Sequence, residues 1–517
     1  MKEKTIHSLT AANEITHVEL RNLLIFTVVI SLFLSLSQHI ADSVINSDGI
    51  LYLYLASLIQ EGDWQSATKA YNWLFYPYLI SQISTLTTLS LEYSAYILNS
   101  FLTALTCAVF IIIVKEFAGK NKILLYCASL VILCYPNLNE YRNMVIRDHG
   151  YWAFYLLSVY FFLQAYKKTT LRAVISLTFF TTLATLFRVE GIIFLLLLPL
   201  LLLFRSVSSA GKLTIATTLI LLVTLLSTLI YSHNYEHINL RGFTKFDQIE
   251  HILSSFGTSV SSALNSTEKF INTLSPQGFS NDYAFAVLAF LFILTLLTEI
   301  VSATSPLYAI FLVPALFFSR TTVNHQVIRP WAYLIAIHII ILVGFLSSRY
   351  FLAGRYPIPL ALTLIIPLPF LLQLAYQQLQ KKAFSPIQAN IVKITTVLFI
   401  ILTLDSLIST GASKAYLKDA GQWIAASNKN QDISLFTNDQ FVSFYSGHQN
   451  GKRIREPRFK AVIQKINNGK LNQFDLLAIQ VSRKNTTGVS TLLNSLKTKP
   501  VKIFNNRKGD SVLIFKQ

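Results

Sequence analysis

Charge is scarce in this 517-residue sequence. Asp, Glu, Lys and Arg together make up 13% of it, while apolar side chains make up 53%. An average soluble chain carries about twice that charged share, enough to cover its surface. Mean hydropathy is +0.50. Cysteine is nearly absent. Cys107, Cys127 and Cys134 all lie in apolar runs, which excludes a disulfide framework and a cysteine metal site. Acids are also in deficit, 25 against 43 Lys and Arg, for a formal charge of +18. A basic excess can signal a nucleic-acid partner, but its distribution here argues for no nucleic acid. From Thr410 to the end lie 18 Lys and Arg against 6 Asp and Glu. Elsewhere the basic residues sit in short connections: Lys115, Lys120 and Lys122, then Lys167, Lys168 and Arg172, then Lys381 and Lys382. That is the positive-inside pattern of a membrane protein.

What is plentiful is long apolar sequence. Gly191–Phe204 (GIIFLLLLPLLLLF) has no polar side-chain atom. Hydrocarbon accepts such a segment provided its backbone closes its own hydrogen bonds as helix. About ten separate runs approach spanning length. The first, Leu23–Ile40, has no small-residue cleavage site after it and is expected to be an anchor helix rather than a removed signal. Further spans are expected near Tyr93–Val114, Ile123–Tyr135, Tyr151–Tyr166, Ala173–Phe187, Ile192–Phe204, Leu213–Tyr231 and Ile391–Ile408. The segment Tyr283–Phe318 reads as two short spans separated by Thr298, Glu299 and Ser302–Ser305, but the charge pattern requires an odd number of crossings there, met either by one span plus a re-entrant or interfacial helix or by a third crossing. The stretch 42–90, with Asp48, Trp64 and Trp73, suits interfacial helices in an outer loop, and 233–282 is expected to be a second outer loop.

The predicted organisation is therefore a membrane domain over 1–409 and a basic soluble tail over 410–517. The tail alternates helical and strand patterns: helices over Lys414–Ser427 and Phe459–Asn467, and strands over Ile433–Phe436, Leu476–Val481, Val501–Phe504 and Val512–Phe515. No internal repeat is visible, which weakens an inverted-repeat transporter.

Four charged clusters fall on the predicted outer face. They are Asn46-Ser47-Asp48-Gly49, the stretch Tyr141–His149 with Arg147-Asp148-His149, Arg188-Val189-Glu190-Gly191, and Ser348–Pro357 with Arg349-Tyr350 and Arg355. Single charges at membrane edges are often plain anchors. Acids and arginines converging on one face suit a sugar-phosphate reaction instead, with a carboxylate as base and guanidinium forks on phosphate oxygens. His338 and His325 read as structural, and Glu299 stands between a functional acid and a helix-terminus role.

Asp48 followed by Tyr52, Tyr54, Ala56 and Gly62 resembles the first outer loop of GT-C membrane glycosyltransferases, among them the protein O-mannosyltransferase-like and lipid A aminoarabinose transferase-like enzymes. Arg147-Asp148 after a Pro-terminated span resembles their second acidic motif. Arg188-Val189-Glu190-Gly191 resembles an Arg-x-Glu-Gly hairpin, and Arg349-Tyr350 a late Arg-Tyr. The resemblance implies an all-α polytopic membrane domain of about 11–13 transmembrane helices, with a small C-terminal α/β extracytoplasmic domain. It also implies inverting transfer of a sugar from a polyprenyl-phosphate carrier to an extracytoplasmic acceptor, a glycolipid, glycan or protein, in a bacterial inner membrane. Asp48 and Asp148 would be the catalytic acids, and Arg349, Arg355 and Arg188 would hold the donor phosphate. Arg147, His149, Glu190 and Tyr350 would assist on the acceptor side. Asp148 would position the acceptor or hold a divalent cation, magnesium or manganese, with His149 as helper. The alternatives are a flippase of lipid-linked sugars and a glycan polymerase or ligase.

Overall fold

The computed structural model describes residues 14–42, 44–203, 282–319, 325–381, 385–407, 414–427, 433–447 and 459–517, together with 211, 261–262 and 264–269. The expected span Leu213–Tyr231 and nearly all of the expected loop 233–282 lie outside the described residues.

The chain opens with α1 (His17–Ala41), started by a capping box in which Thr16 and Glu19 satisfy each other's exposed backbone groups. This helix is built inside out. Thr27, Ser31, Ser35 and Gln38 are buried, whereas Ile25, Phe26, Val29, Phe33 and Leu36 are exposed. The buried hydroxyls bond inward: Thr27 to Ser129 at 2.7 Å, Ser31 to the Cys107 thiol at 3.6 Å. In water such a helix would turn over; in lipid, apolar side chains belong outside and small polar ones pack helix on helix.

Three short helices follow, α2 (Ser47–Gln60), α3 (Trp64–Ala70) and α4 (Phe75–Thr87), matching the interfacial helices expected over 42–90. Next come α5 (Leu91–Ala118), α6 (Lys122–Leu133), the single turn α7 (Pro136–Glu140), α8 (Asp148–Lys167), α9 (Leu171–Phe187) and α10 (Gly191–Leu203). Helix α8 is the central one, packed on α5, α9, α10 and α13. Most of its residues are buried, so its many Tyr side chains meet protein rather than lipid.

After the undescribed stretch, α11 (Asp282–Thr304) and α12 (Pro306–Ser319) meet at Ser305, a left-handed residue at φ 71°. The expected pair of short spans is corrected here. Thr298, Glu299 and Ser302 belong to the first helix, which is long enough to cross alone, and the second is short. The remaining membrane helices are α13 (His325–Arg349), α14 (Ile358–Leu364), α15 (Leu368–Gln380) and α16 (Pro386–Leu407), with α14 and α15 forming one apolar rod broken near Pro367. Among the described residues, 6 helices are long and apolar enough to cross a membrane. Three shorter apolar ones accompany them: Lys122–Leu133, Leu171–Phe187 and Pro306–Phe317. On α16, Ile394, Val397, Ile400, Ile401 and Leu404 are exposed, as lipid contact demands. The protein is an integral membrane protein.

The tail holds α17 (Ala415–Ser427), β1 (Leu435–Thr437), α18 (Gln440–Tyr445), α19 (Phe459–Asn467), β2 (Leu476–Val481), α20 (Gly488–Leu496), β3 (Lys502–Asn505) and β4 (Ser511–Lys516). Its sheet has the order β1-β2-β4-β3. β1 runs parallel to β2, and β4 runs antiparallel to both of its neighbours. Side chains alternate across it. Leu477, Ile479, Leu513 and Phe515 form one core with Val462 and Leu492 of α19 and α20. Leu476, Ala478, Val512 and Ile514 face the other way, in a core shared with α17, α18 and the membrane domain. The strand and helix expectations for the tail hold to within two residues at each end; α18 and α20 were not foreseen.

Candidate active site

The four charged clusters meet at one end of the helix bundle. Asp48 is the second residue of α2, and Asp148 the first of α8. Arg188 and Glu190 flank the turn between α9 and α10, and Arg355 lies in the loop between α13 and α14. They form a continuous chain of charge. Glu190 accepts from Arg188, which also donates to Asp148. Asp148 faces Arg355 Nε at 3.7 Å, and Arg355 Nη2 donates to Asp48 at 2.7 Å. The chain is graded in depth. The side chains of Asp148, Arg188 and Glu190 are 3%, 6% and 7% exposed, while Asp48 and Arg355 are 24% and 25% exposed. Burial alone would raise the Glu190 carboxyl, but Arg188 beside it outweighs burial and holds it below the ordinary glutamate value.

Local packing brings these groups together. Asn46 makes no capping bond to α2; its amide instead clamps Val145, accepting from the backbone N–H at 2.7 Å and donating to the carbonyl at 3.3 Å. That two-way bond fixes the Asp48 segment against the loop that carries Asp148. Gly49 permits it, since a Cβ there would lie 2.6 Å from Ile45 and 2.9 Å from Val145. Gly150 does the same one turn into α8, where a Cβ would fall 2.1 Å from the Phe187 ring and push Asp148 away from Arg188. From below, buried Arg142 donates to Asn139, Ser31 and Ser35 at 2.8–3.0 Å. This guanidinium ties the 141–148 loop to α1. Trp73 Nε1 donates to Leu186 O at 2.5 Å, anchoring the end of α9 just before Arg188.

The other expected residues lie in different places. Arg147 sits over the Tyr71 ring at 5.9 Å, at the edge of the cluster. His149 is buried on the far side of α8. Its Nε2 lies 3.0 Å from Tyr141 O and 3.3 Å from Met144 O, and its Nδ1 lies 3.0 Å from the Thr103 hydroxyl. A nitrogen facing only carbonyls carries a hydrogen, so His149 braces the loop and offers no lone pair to the carboxylates. Arg349 is exposed and outside the ion-pair chain, which it reaches through Tyr356, whose hydroxyl accepts at 3.3 Å. Tyr350 is 46% exposed, with its ring 6.3 Å from Phe292 and away from the carboxylates. The unforeseen aromatic is Tyr356, with the Arg188 guanidinium 4.4 Å over its ring. Tyr151 is a second face for the same group at 5.8 Å. Nothing marks these two among 24 tyrosines.

Asp148 is engaged by two guanidinium groups and His149 points away from it. Among the described residues no group of three or more His, Cys, Asp and Glu could hold a metal ion.

With 12% sequence identity and a TM-score of 0.55, the structure is similar to that of ArnT from Cupriavidus metallidurans bound to undecaprenyl phosphate, over 96% of this chain and 98% of that one. The fold is shared with ArnT. It is the polytopic helical fold with a small C-terminal α/β unit that the sequence leads one to expect. The apo state of ArnT from the same organism aligns over the same shares at 13% identity and a TM-score of 0.45. No family model matches the sequence, and no curated protein sequence does.

Proposed function

We propose that the protein is a membrane glycosyltransferase that moves a sugar from a polyprenyl-phosphate carrier to an extracytoplasmic acceptor. The carrying observation is the chain Glu190–Arg188–Asp148–Arg355–Asp48, deep at one end and open to water at Asp48. The ArnT structure with undecaprenyl phosphate supports the donor class, because this chain shares its fold.

Arg355 bridges both aspartates. A phosphate diester entering the site competes for that fork, since guanidinium pairs with phosphate as readily as with carboxylate. Arg355 turning to the phosphate releases the Asp48 carboxylate, which takes the proton of an acceptor hydroxyl. The acceptor oxygen attacks the anomeric carbon from the face opposite the phosphate. The sugar–phosphate C–O bond breaks, and polyprenyl phosphate departs with the electron pair, held by Arg355 with Arg349 at the rim. The anomeric configuration inverts. Asp148 and Glu190 hold Arg188 in place, so that on phosphate binding Arg355 is the group that turns.

General-base help contributes about 10²–10⁴-fold. Asp48→Asn is therefore expected to lose at least about 100-fold in transfer, while undecaprenyl phosphate binding to the purified protein is retained or tightened, because Arg355 no longer leaves a carboxylate to meet the phosphate. Transfer assays with lipid-linked pentose and hexose donors check the first part, and lipid titration the second. Unimpaired transfer by Asp48→Asn removes the base assignment. The placement of the site on the outer side of a bacterial inner membrane rests on the lysines, which gather at the opposite helix ends.

A further inference from the structure

Beside the ion-pair chain lies a small, partly open cavity of about 10 Å³, the space for one water-sized group. Its lining includes Trp152 of α8, His338 of α13, Glu190, Arg355, Arg188 and Tyr356. Three of these present a buried polar atom without a hydrogen-bond partner: Trp152 Nε1, His338 Nε2 and Glu190 Oε2. Trp152, His338 and Glu190 are 0%, 2% and 6% exposed. A buried polar atom left unpaired is costly, so three around one cavity point to a small polar group that completes them.

The chemistry of the three atoms narrows that group. Trp Nε1 only donates, a carboxylate oxygen only accepts, and an imidazole nitrogen does one or the other. A phosphate accepts only and meets repulsion from Glu190. An ammonium donates only and meets repulsion from Arg355. A hydroxyl, of water or of a ligand, donates once to Glu190 and accepts from Trp152 and His338, and it fits the volume. The aromatic neighbours hold the donors in fixed orientation. His338 packs against Tyr155 and Phe194 with ring centroids 4.6 and 5.0 Å away, and Trp152 against His149 at 5.0 Å. The cavity and the phosphate-binding arginines share Arg188 and Arg355, which puts the cavity within reach of a sugar attached to that phosphate.

We propose that this cavity is the subsite for one hydroxyl of the donor sugar, with Trp152 and His338 as specificity residues that read its presence. The proposal rests on the transferase reading and adds a requirement to it: the donor must carry a free hydroxyl at one particular ring position.

The test uses the full-length protein in lipid nanodiscs, titrated with undecaprenyl phosphate and with undecaprenyl-phosphate-linked pentoses and hexoses. At least one sugar-linked lipid should bind about tenfold or more tighter than undecaprenyl phosphate. In its single-deoxy series, one position alone should lose most of that gain. Trp152→Phe and His338→Phe should abolish the same gain, leave undecaprenyl phosphate binding unchanged, and become insensitive to the critical deoxy position. Equal weakening of plain and sugar-linked lipid by both variants overturns the subsite, as does a deoxy series with no critical position. The deoxy series on wild-type protein needs no variant, so a Trp152→Phe protein that fails to fold does not remove the test. Failure of undecaprenyl phosphate to bind the wild type overturns the transferase reading itself, which separates the two failures.

Discussion

Helix α8 carries an ion pair at each end, and the two differ in kind. At its first residue Asp148 meets Arg188 and Arg355, with Asp148 and Arg188 only 3% and 6% exposed. Nineteen residues on, about 30 Å away, Lys167 donates to Glu116 Oε2 at 2.7 Å, with side chains 20% and 15% exposed. At the other end Lys167 pairs with the Glu116 carboxylate, also bonds the Glu116 carbonyl at 3.1 Å and closes a helix-helix contact. The Asp148 end is a relay through forked guanidinium groups, each touching two carboxylates. Lysine, a point charge on a flexible stem, cannot hold two acids in a fixed plane; arginine can. Charge in the membrane domain therefore serves anchoring at one end and a preorganised site at the other.

That contrast can be broken by substitution. The largest effect is expected for Arg188→Met, which leaves Asp148 and Glu190 buried without their main partner. Breaking such a pair costs about 3–5 kcal/mol, read as a large fall in the detergent-solubilised unfolding midpoint together with loss of transfer. Gly150→Ala comes next. The new methyl displaces Phe187 and opens the Asp148–Arg188 contact, so transfer should fall by about tenfold or more, with a smaller stability loss of about 1–3 kcal/mol typical of overpacking. The smallest effect belongs to Lys167→Met, under about 1 kcal/mol, with transfer unchanged. A Lys167→Met protein as impaired as Arg188→Met would erase the distinction between the two ends.

Much of this site was legible because charge is expensive beside a bilayer. Asp48, Asp148, Arg188, Glu190 and Arg355 stand out against apolar runs, and the structure brings all five together. The same cue misdirects where a neighbour of equal type is present. Arg349-Tyr350 draws the eye, yet the ring against Arg188 belongs to Tyr356, because Tyr350 takes φ 57° at the end of α13 and turns outward. His149 shares its cluster with Asp148, but successive residues of a helix point about 100° apart, and its ring lands on Thr103. Trp152 and His338 gave no signal. An aromatic or a histidine within an apolar span reads as packing until the cavity between two helices is known. In the fold, strand alternation made the tail's sheet legible, and the break at Ser305 is marked by a cluster of small polar residues ahead of Pro306, the first residue of α12.

The segment ahead of Asp48 is held from a distance. Beside the Asn46 clamp, the Ile45 N–H donates to the hydroxyl of Tyr445 at 3.0 Å, from α18 in the tail. Synthesis runs from the amino end, so the first acid of the site is emplaced by a residue that leaves the ribosome some four hundred positions later. A nascent or truncated polypeptide can thread its early helices into the bilayer while this brace is still missing. Commissioning of the machinery thereby waits on the last domain to be made, although that domain supplies none of the five charges.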